Sequence, residues 1–319
     1  MKYMFHLIFF IIAIILLKAS SVDENYILDA MKGKPTREIF EAYHFLFKKE
    51  YELTSEEGVR RYKIFKENLK WCEEKNAEVG YKAYGINSFS DLTNEEFHQN
   101  YLMKKQDSPE ISHVENIEQE DSKFMGIVGQ DIDWRSIMGP VKNQKDCGSC
   151  WAFTAAGIVE GNYNIKFGQQ VNLSEQWIVN CDLGDNGCNG GTAEGALDFL
   201  IGTGVKYANE EPYLALRGMC TIPENGFTNL NTIVKSYEIC KNCRKSEWLS
   251  LISRGPVAVH LDASDPAFKN YAPQNSTTPL IPTSCGKSNH AVIAVGVLYI
   301  NNIEYLLIRN SWSEKWGIQ

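Results

Sequence analysis

The residues most able to do chemistry lie in one run, Gln144-Lys-Asp-Cys147-Gly-Ser-Cys150-Trp151-Ala-Phe153. Cys147 and Cys150 form a C-x-x-C pair at the start of a predicted helix. There the unpaired N–H groups and the helix dipole favour a thiolate. Two chemistries fit. Both cysteines could cycle as a redox pair, but that calls for a parallel-sheet βαβ context which the sequence does not show. Alternatively Cys150 is a nucleophile and Cys147 is tied off in a structural bridge, which requires a histidine base and an orienting group downstream. His290, in Ser-Asn-His-Ala-Val leading into a predicted strand, and Asn310, in Arg-Asn-Ser-Trp, can fill those positions. His260 lies in an apolar run with no motif and reads as structural or solvent-facing. Glu160, ten residues after Cys150, reads as a buried structural acid.

Composition limits what can carry these residues. With 44% hydrophobic and 23% charged residues, a disordered tail, a collagenous repeat and a multi-span membrane protein are excluded. The 32 basic and 40 acidic residues give a net charge of −8 without a basic cluster, which argues against a nucleic-acid partner. Nine cysteines in 319 residues point to an oxidising compartment. Lys2, an apolar run from Phe5 to Leu17 broken only by His6, and small residues from Ala19 to Ser21 read as a secretory signal peptide over 1–20. The run is shorter than the ~20 residues that span a bilayer, and no other run is long enough, so no stable membrane insertion is expected.

Residues 22–105 are helical in pattern. Thr54 with Glu57 predicts a capping box, followed by a stripe of Val59, Tyr62, Phe65, Leu69 and Cys72, with Glu57 and Arg61 able to pair. Residues 106–130 are acidic and aperiodic and read as an exposed linker. Beyond Asp131 lie the tryptophans in number and every cysteine but Cys72, with one clear helix after Cys150 and strand-like runs at Ala291–Val297 and Tyr305–Ile308.

Cys147-Gly-Ser-Cys150-Trp151 is similar to the signature of papain and cathepsin cysteine proteases, and from about residue 36 the chain resembles a papain-family proenzyme of the cathepsin L type. Glu57, Arg61, Phe65, Asn68 and Asn76 resemble the interspersed motif of such proregions, with Cys72 replacing an isoleucine. Gly85-Ile-Asn87-Ser-Phe89-Ser-Asp91 resembles the second proregion motif. Asp133-Trp134-Arg135 is similar to the start of a mature enzyme, and Asn189-Gly190-Gly191 to substrate-binding glycines. The resemblance implies an α+β, papain-like two-lobe fold, with a helical left lobe and a β-barrel-like right lobe, preceded by a helical inhibitory prodomain. The corresponding domains are a signal peptide 1–20, a propeptide 21–127 and a peptidase domain 128–319. The last part of the peptidase domain is expected to be missing, because relatives continue past the position of Gln319. The implied function is a cysteine endopeptidase made as a zymogen. The alternative is a catalytically impaired, truncated relative that binds peptides or inhibitors.

By the same resemblance Cys150 is the nucleophile, His290 its imidazolium partner, Asn310 the group that holds the ring and Trp312 its cover. Gln144 donates to the oxyanion beside the Cys150 amide. Gly190, Gly191, Thr192, Ala193, Ala263 and Asn289 are expected to border bound peptide, with small, uncharged walls suited to an apolar side chain. No histidine-bearing insertion of the cathepsin B kind lies between Cys188 and Cys220, which favours an endopeptidase. Cys147 is expected to pair with Cys188 and Cys181 with Cys220. Cys285 would be half of a third bridge. Cys240 and Cys243 read as free thiols, or one of them as the partner of Cys285, since a zinc site needs two more ligands. Asn275 and Asn172 match the glycosylation pattern; Asn275 is favoured because Ser174 reads as a helix cap. No cofactor or metal is implied. The implied partners are peptide and protein substrates, the chain's own propeptide as inhibitor, and protein inhibitors of the cystatin type. The expected protein is a monomer of the secretory pathway, bound for a lysosome or vacuole or for the cell exterior.

Overall fold

A computed structural model describes residues 31, 33–104, 129–221, 233–241, 243–275, 277–284 and 286–318. The expected signal peptide, most of the linker, the expected start of the peptidase domain at 128 and Cys285 lie outside the described residues. The chain divides into two compact units, Met1–Leu92 and Thr93–Gln319.

In the first unit, helices α1 (Thr36–Leu46) and α2 (Glu56–Val79) close on Phe40, Tyr43 and Phe65, all fully buried. Burial of each ring contributes roughly 1.5–3 kcal/mol. The cap of α2 is Ser55, not Thr54: Ser55 Oγ accepts from Gly58 N at 3.0 Å. The predicted stripe holds at Phe65 and Cys72, but Val59 is 45% exposed. The packed position there is Gly58, where a Cβ would lie 2.2 Å from Glu52 O, so the incoming chain covers Gly58 and leaves Val59 outside. Gly80 ends the helix in the left-handed conformation.

The interspersed polar residues of α2 anchor the segment after it. Arg61 pairs with Glu57 at 2.6 Å and donates to Asp91 O, and Asn68 Nδ2 donates to Ser90 O and Leu92 O. The Asn76 amide accepts from Ala83 N and Tyr84 N and donates to Tyr84 O. Asp91, 2% exposed, accepts from Tyr43 Oη at 2.7 Å, Tyr51 Oη at 2.9 Å and Lys49 Nζ at 2.8 Å.

The second unit begins with α3 (Asn94–Tyr101), capped by Thr93 and Glu96 in a reciprocal box. Strand β1 (Ile132–Asp133) follows, and then α4 (Cys150–Phe167), α5 (Glu175–Cys181) and α6 (Ala193–Thr203). Trp151, Ala152, Ala155 and Ala156 of α4 are fully buried against Trp177, Leu197 and Leu200. Small alanines let the neighbouring helices approach, and the indole N–H groups of Trp151 and Trp177 each find a backbone carbonyl, Gly187 O and Gly204 O. After α7 (Lys245–Arg254) come β2 (Val257–Leu261), a single turn α8 (Pro266–Lys269), β3 (His290–Ile300) and β4 (Ile303–Arg309).

β3 is the centre of an antiparallel sheet. β1 and β2 share one side of it and β4 takes the other, with Leu261 opposite His290, Ile132 opposite Val297 and Ile308 opposite Ala294. Both faces of β3 are covered from His290 to Val297, hence its unbroken apolar sequence. The sheet corrects the barrel-like expectation. It has four strands in an open order and does not close, because no strand joins β2 to β4 among the described residues.

Cys147–Cys188 and Cys181–Cys220 are disulfides. Cys240 and Cys243 are bonded to each other, which overturns their reading as free thiols: a three-residue step brings their Cα atoms to 5.5 Å, within disulfide reach.

Asp91→Ala would take the carboxylate from Tyr43, Tyr51 and Lys49, leaving Tyr43 and Lys49 only the Ser88 carbonyl. We expect the first unit to lose about 2–4 kcal/mol, read as faster amide hydrogen exchange in α1 and α2 with α4 unchanged. Equal loss in α4 would contradict a role confined to this unit.

Candidate active site

Cys150 is the first residue of α4, so its thiol sits at the N-terminus of a buried helix. The loop before it is held from two sides. Gly148 N donates to Cys188 O at 2.9 Å beside the Cys147–Cys188 disulfide, and Tyr213 Oη donates to Gln144 O at 2.7 Å while lying 2.6 Å from Ser149 Oγ. His290 begins β3. Its neighbour Ala291 donates its N–H to Cys150 Sγ at 3.4 Å, which brings the strand's start against the thiol. His290 Nε2 lies 2.9 Å from Asn310 Oδ1, just past β4. Asn310 Oδ1 also accepts from Ser311 N, so the proton of the contact belongs to His290 Nε2. The Nδ1 atom is then left unprotonated in the neutral ring, buried and without a protein partner. Trp312 stacks on the imidazole at 4.6 Å and 23° and is 1% exposed.

Gln144 binds these pieces together. Its Oε1 accepts from Ser311 Oγ at 2.6 Å and Trp312 Nε1 at 3.1 Å. With the oxygen thus occupied, the amide nitrogen faces the nucleophile loop and donates to Cys147 O and Tyr101 O, both at 2.9 Å. Tyr101, Met103 and Lys104 cross the same groove. Met103 N donates to Asn289 O at 2.8 Å on the sheet side, and Lys104 N to Asn189 O at 2.9 Å on the helix side. Upstream, Phe97 of α3 packs edge-on to Trp312 at 5.2 Å, and His98 Nε2 lies 3.0 Å from Ser264 O.

Cys150 and His290 are both fully buried here. Burial pushes the Cys150 thiol up to about 12, against the opposing pull of nearby backbone N–H groups. Burial also pulls His290 down to about 4, against the Asn310 bond. The structure therefore holds a neutral thiol beside a neutral imidazole.

The residues of the expected substrate wall have structural duties of their own. Gly190, at φ 128°, is where a side chain would collide with the crossing segment: its Cβ would lie 3.0 Å from Met103 Cβ. Gly191 is required instead by Trp151, 2.5 Å from where its Cβ would be. Thr192 caps α6 through Gly195 N, and Ala193 is buried in the first turn. Ala263 is fully buried, and Asn289 spends its side chain on Ala263 N, Asp262 and Ser264 while its carbonyl faces the groove. His260 is exposed, in keeping with its solvent-facing reading, and its Nε2 lies 3.3 Å from Glu194 Oε2, linking β2 to α6. Ser311, Tyr213 and Phe97 were not singled out from sequence; Ser311 was adjacent to Asn310, but the other two carry no local signal.

Asn275 and Asn172 are both exposed. Ser174 Oγ is engaged with Trp177 N and Glu211 O, as its capping role demands, whereas Thr277 Oγ1 turns to Asn275 Oδ1 at 3.0 Å. Among the described residues no group of histidine, cysteine and acidic side chains could hold a metal, and no helix is long and apolar enough to cross a membrane.

Comparison with known proteins places these features. The pattern of the papain family cysteine proteases matches residues 128–319, and that of the cathepsin propeptide inhibitor domain matches residues 40–97. Cysteine proteinase 3 of Entamoeba histolytica is 34% identical over 264 residues, 82% of this chain and 80% of that protein. Caricain of Carica papaya is 34% identical over 286 residues, 88% of this chain and 78% of caricain. Among solved structures, the recombinant stem bromelain precursor is similar with a TM-score of 0.75 at 33% identity, covering 89% of this chain and 90% of its own. Digestive procathepsin L 3 of Tenebrio molitor larval midgut gives 0.73 at 28% identity, covering 88% and 90%.

The neutral pair makes a kinetic prediction. Since only the thiolate reacts, iodoacetamide should alkylate Cys150 at least ~100-fold more slowly in the intact chain than after the segment around 101–104 is removed, at pH 6 to 8. Equal rates would show that the segment does not govern the thiol.

Proposed function

Because the chain belongs to the papain family of cysteine proteases and carries a cathepsin-type propeptide inhibitor domain, we propose that it is an endopeptidase zymogen working through Cys150 and His290. Once the groove is clear and hydrated, the proton passes from Cys150 Sγ to His290 Nδ1. The thiolate then attacks the carbonyl carbon of a peptide. The oxyanion takes N–H donors from Gln144 Nε2 and the Cys150 backbone. As the C–N bond breaks, His290 Nδ1–H protonates the leaving amine and an acyl-thioester remains on Cys150. Water, deprotonated by His290, hydrolyses that thioester and restores the thiol. Asn310 keeps the ring in the Nε2–H tautomer throughout, and Trp312 shields the contact from water.

The observation that carries this reading is the locked amide of Gln144. Two donors hold its oxygen, and its nitrogen already binds a carbonyl, Tyr101 O, in the groove. A substrate carbonyl that becomes an oxyanion would meet the same donor. Residues 101–104 block the groove through the bonds to Gln144, Asn189 and Asn289, so the propeptide acts as inhibitor until it leaves. Residues 21–127 then serve as the propeptide and 128–319 as the peptidase domain. Protein inhibitors of the cystatin type would compete for the same groove. The leader at 1–20 and the disulfides support a route through the secretory pathway to a lysosome, vacuole or the cell exterior, with the exposed Asn275 as the favoured glycan site and a monomer as the working form.

Cys150→Ser should abolish peptide hydrolysis in a chain that still folds. Gln144→Ala should lower kcat by about 10²–10³-fold with little change in KM, because its donor matters chiefly to the oxyanion. Steady-state kinetics on a fluorogenic peptide tests both. Retained turnover in Cys150→Ser would remove the nucleophile from its role, and an effect of Gln144→Ala on KM alone would remove the oxyanion donor.

A further inference from the structure

Asn310 has one end of its amide explained and one end not. Its oxygen accepts from His290 and Ser311 N, but its Nδ2 is buried with no protein partner, in a residue only 8% exposed. A buried amide donor ordinarily has an acceptor. Asn310 lines a cavity of about 20 Å³, enough for a single water. The walls of that cavity also include Thr154, Lys142, Glu160, Glu175 and Arg309. Lys142 Nζ contacts Glu160 Oε1 at 2.8 Å, Glu175 Oε1 at 2.5 Å and Leu173 O at 3.2 Å. Glu160 Oε1 is further engaged by Leu173 N at 2.7 Å. The cavity therefore joins a buried carboxylate cluster on α4 and α5 to the donor end of the amide that holds the catalytic imidazole.

We infer that this cavity takes one water, which accepts from Asn310 Nδ2 and donates to the Glu160–Glu175 carboxylates, and that Glu175 is thereby a positioning residue for His290. The chain of bonds runs carboxylate, water, Asn310 Nδ2, Asn310 Oδ1, His290 Nε2. It fixes the amide with its oxygen toward the ring, and polarisation along it strengthens the bond that stabilises the imidazolium. The inference rests on the assignment of Asn310 as the orienting residue.

The charges that face the cluster are those of Lys142 and Arg309 on the positive side and Glu160 and Glu175 on the negative side, with Glu314 acting on Arg309. Burial pushes the Glu175 carboxyl up to about 7, with Lys142 opposing. Burial works against the Lys142 charge, but the two carboxylates outweigh it and keep the ammonium charged. Glu175 thus gains its negative charge as pH rises through neutrality. The support it lends to the imidazolium is present above that point and fades below it.

The test is a double-mutant cycle on the full chain, activated by its own processing, comparing wild type, Glu175→Gln, Asn310→Ala and the double variant. The readouts are the pH profile of kcat/KM and the melting temperature. Glu175→Gln should move the basic limb of the profile down by about 0.5–1 pH unit, the shift expected when one nearby opposite charge is lost. In the Asn310→Ala background it should move nothing further. Glu175→Asp, which keeps the charge, should leave the limb at its wild-type position; if Glu175→Gln does not fold, the uncharged Glu175→Met, of similar length, replaces it in the cycle. An equal shift in both backgrounds would mean that the charge acts through space, and would overturn the role of the water and Asn310. A lower melting temperature with an unmoved profile would make Glu175 purely structural and would also overturn the inference. Full activity in Asn310→Ala alone would instead defeat the assignment of Asn310, a separate failure.

Discussion

The satisfied amide of Gln144 is the constraint on which the site depends. The side chain is completely buried, and its four bonds reach the nucleophile loop, the Ser311–Trp312 turn and the segment crossing the groove. Its backbone adds two more, through Ser311 O and Tyr213 Oη. A buried amide left partly unpaired costs about 1–3 kcal/mol for each lost partner, so all these groups must arrive together or not at all. Gln144 therefore joins the α-helical half that presents Cys150 to the sheet half that presents His290. The joint uses polar geometry where apolar packing would leave the amide's direction undefined.

The closure that fixes the geometry also suppresses the charge separation that the chemistry needs. Thiolate and imidazolium are both ions, and a dry site disfavours each; hence a thiol held high and an imidazole held low in the covered groove. On the imidazole side the supports are in place, since Nε2 meets Asn310 and Trp312 covers the contact, while Nδ1 makes no hydrogen bond to Sγ. On the proposed mechanism, inhibition in this state leaves the Asn310 and Trp312 supports of the imidazole intact. Keeping water away from Sγ and Nδ1 while holding a carbonyl on Gln144 is enough.

Sequence spacing revealed the parts of the molecule that local chemistry specifies. Cys150 ahead of a helix, His290 ahead of a β-run and Asn310 downstream were legible as residue types that could work together, whereas Gln144 and Trp312 were legible only through the family resemblance. The strand runs were legible because β3 is buried on both faces. Tertiary choices were not. Thr54 and Ser55 are equally good caps in one dimension, and only the approach of the chain to Gly58 selects the second. Cys240 and Cys243 pair because the backbone turns between them, which no spacing rule requires. Thr192 and Asn289 also cap and brace, through Gly195 N and Ala263 N, and it is the Asn289 carbonyl, a group no spacing rule singles out, that meets Met103 N. The contacts of Phe97, Tyr101 and Met103 with the site join residues far apart in the chain, and the short-range pattern is silent about them.

The two halves of the site are stabilised by different means, and the difference follows from what each presents. In the proposed mechanism the Cys150 thiol must stay at one helix terminus, and its loop is clamped covalently: the Cys147–Cys188 bond and the adjoining Gly148 N to Cys188 O contact set it against the Asn189 carbonyl that receives Lys104. A disulfide of this loop length is worth roughly 2–4 kcal/mol, and it holds the distance between thiol and groove wall whatever the peptide. The imidazole proposed as base would instead accept and release a proton, and its supports are hydrogen bonds and stacking, which tolerate a change of charge. His290 is held by Asn310 and Trp312, and both of those are referred back to the nucleophile side, Trp312 through Gln144 and Asn310 through Ser311, whose Oγ ends on the same Gln144 oxygen. The movable half is therefore indexed to the fixed half through a single side chain. An open four-stranded sheet can serve as the platform for the base, because the accuracy of the site is set by Gln144 and does not require the sheet to close.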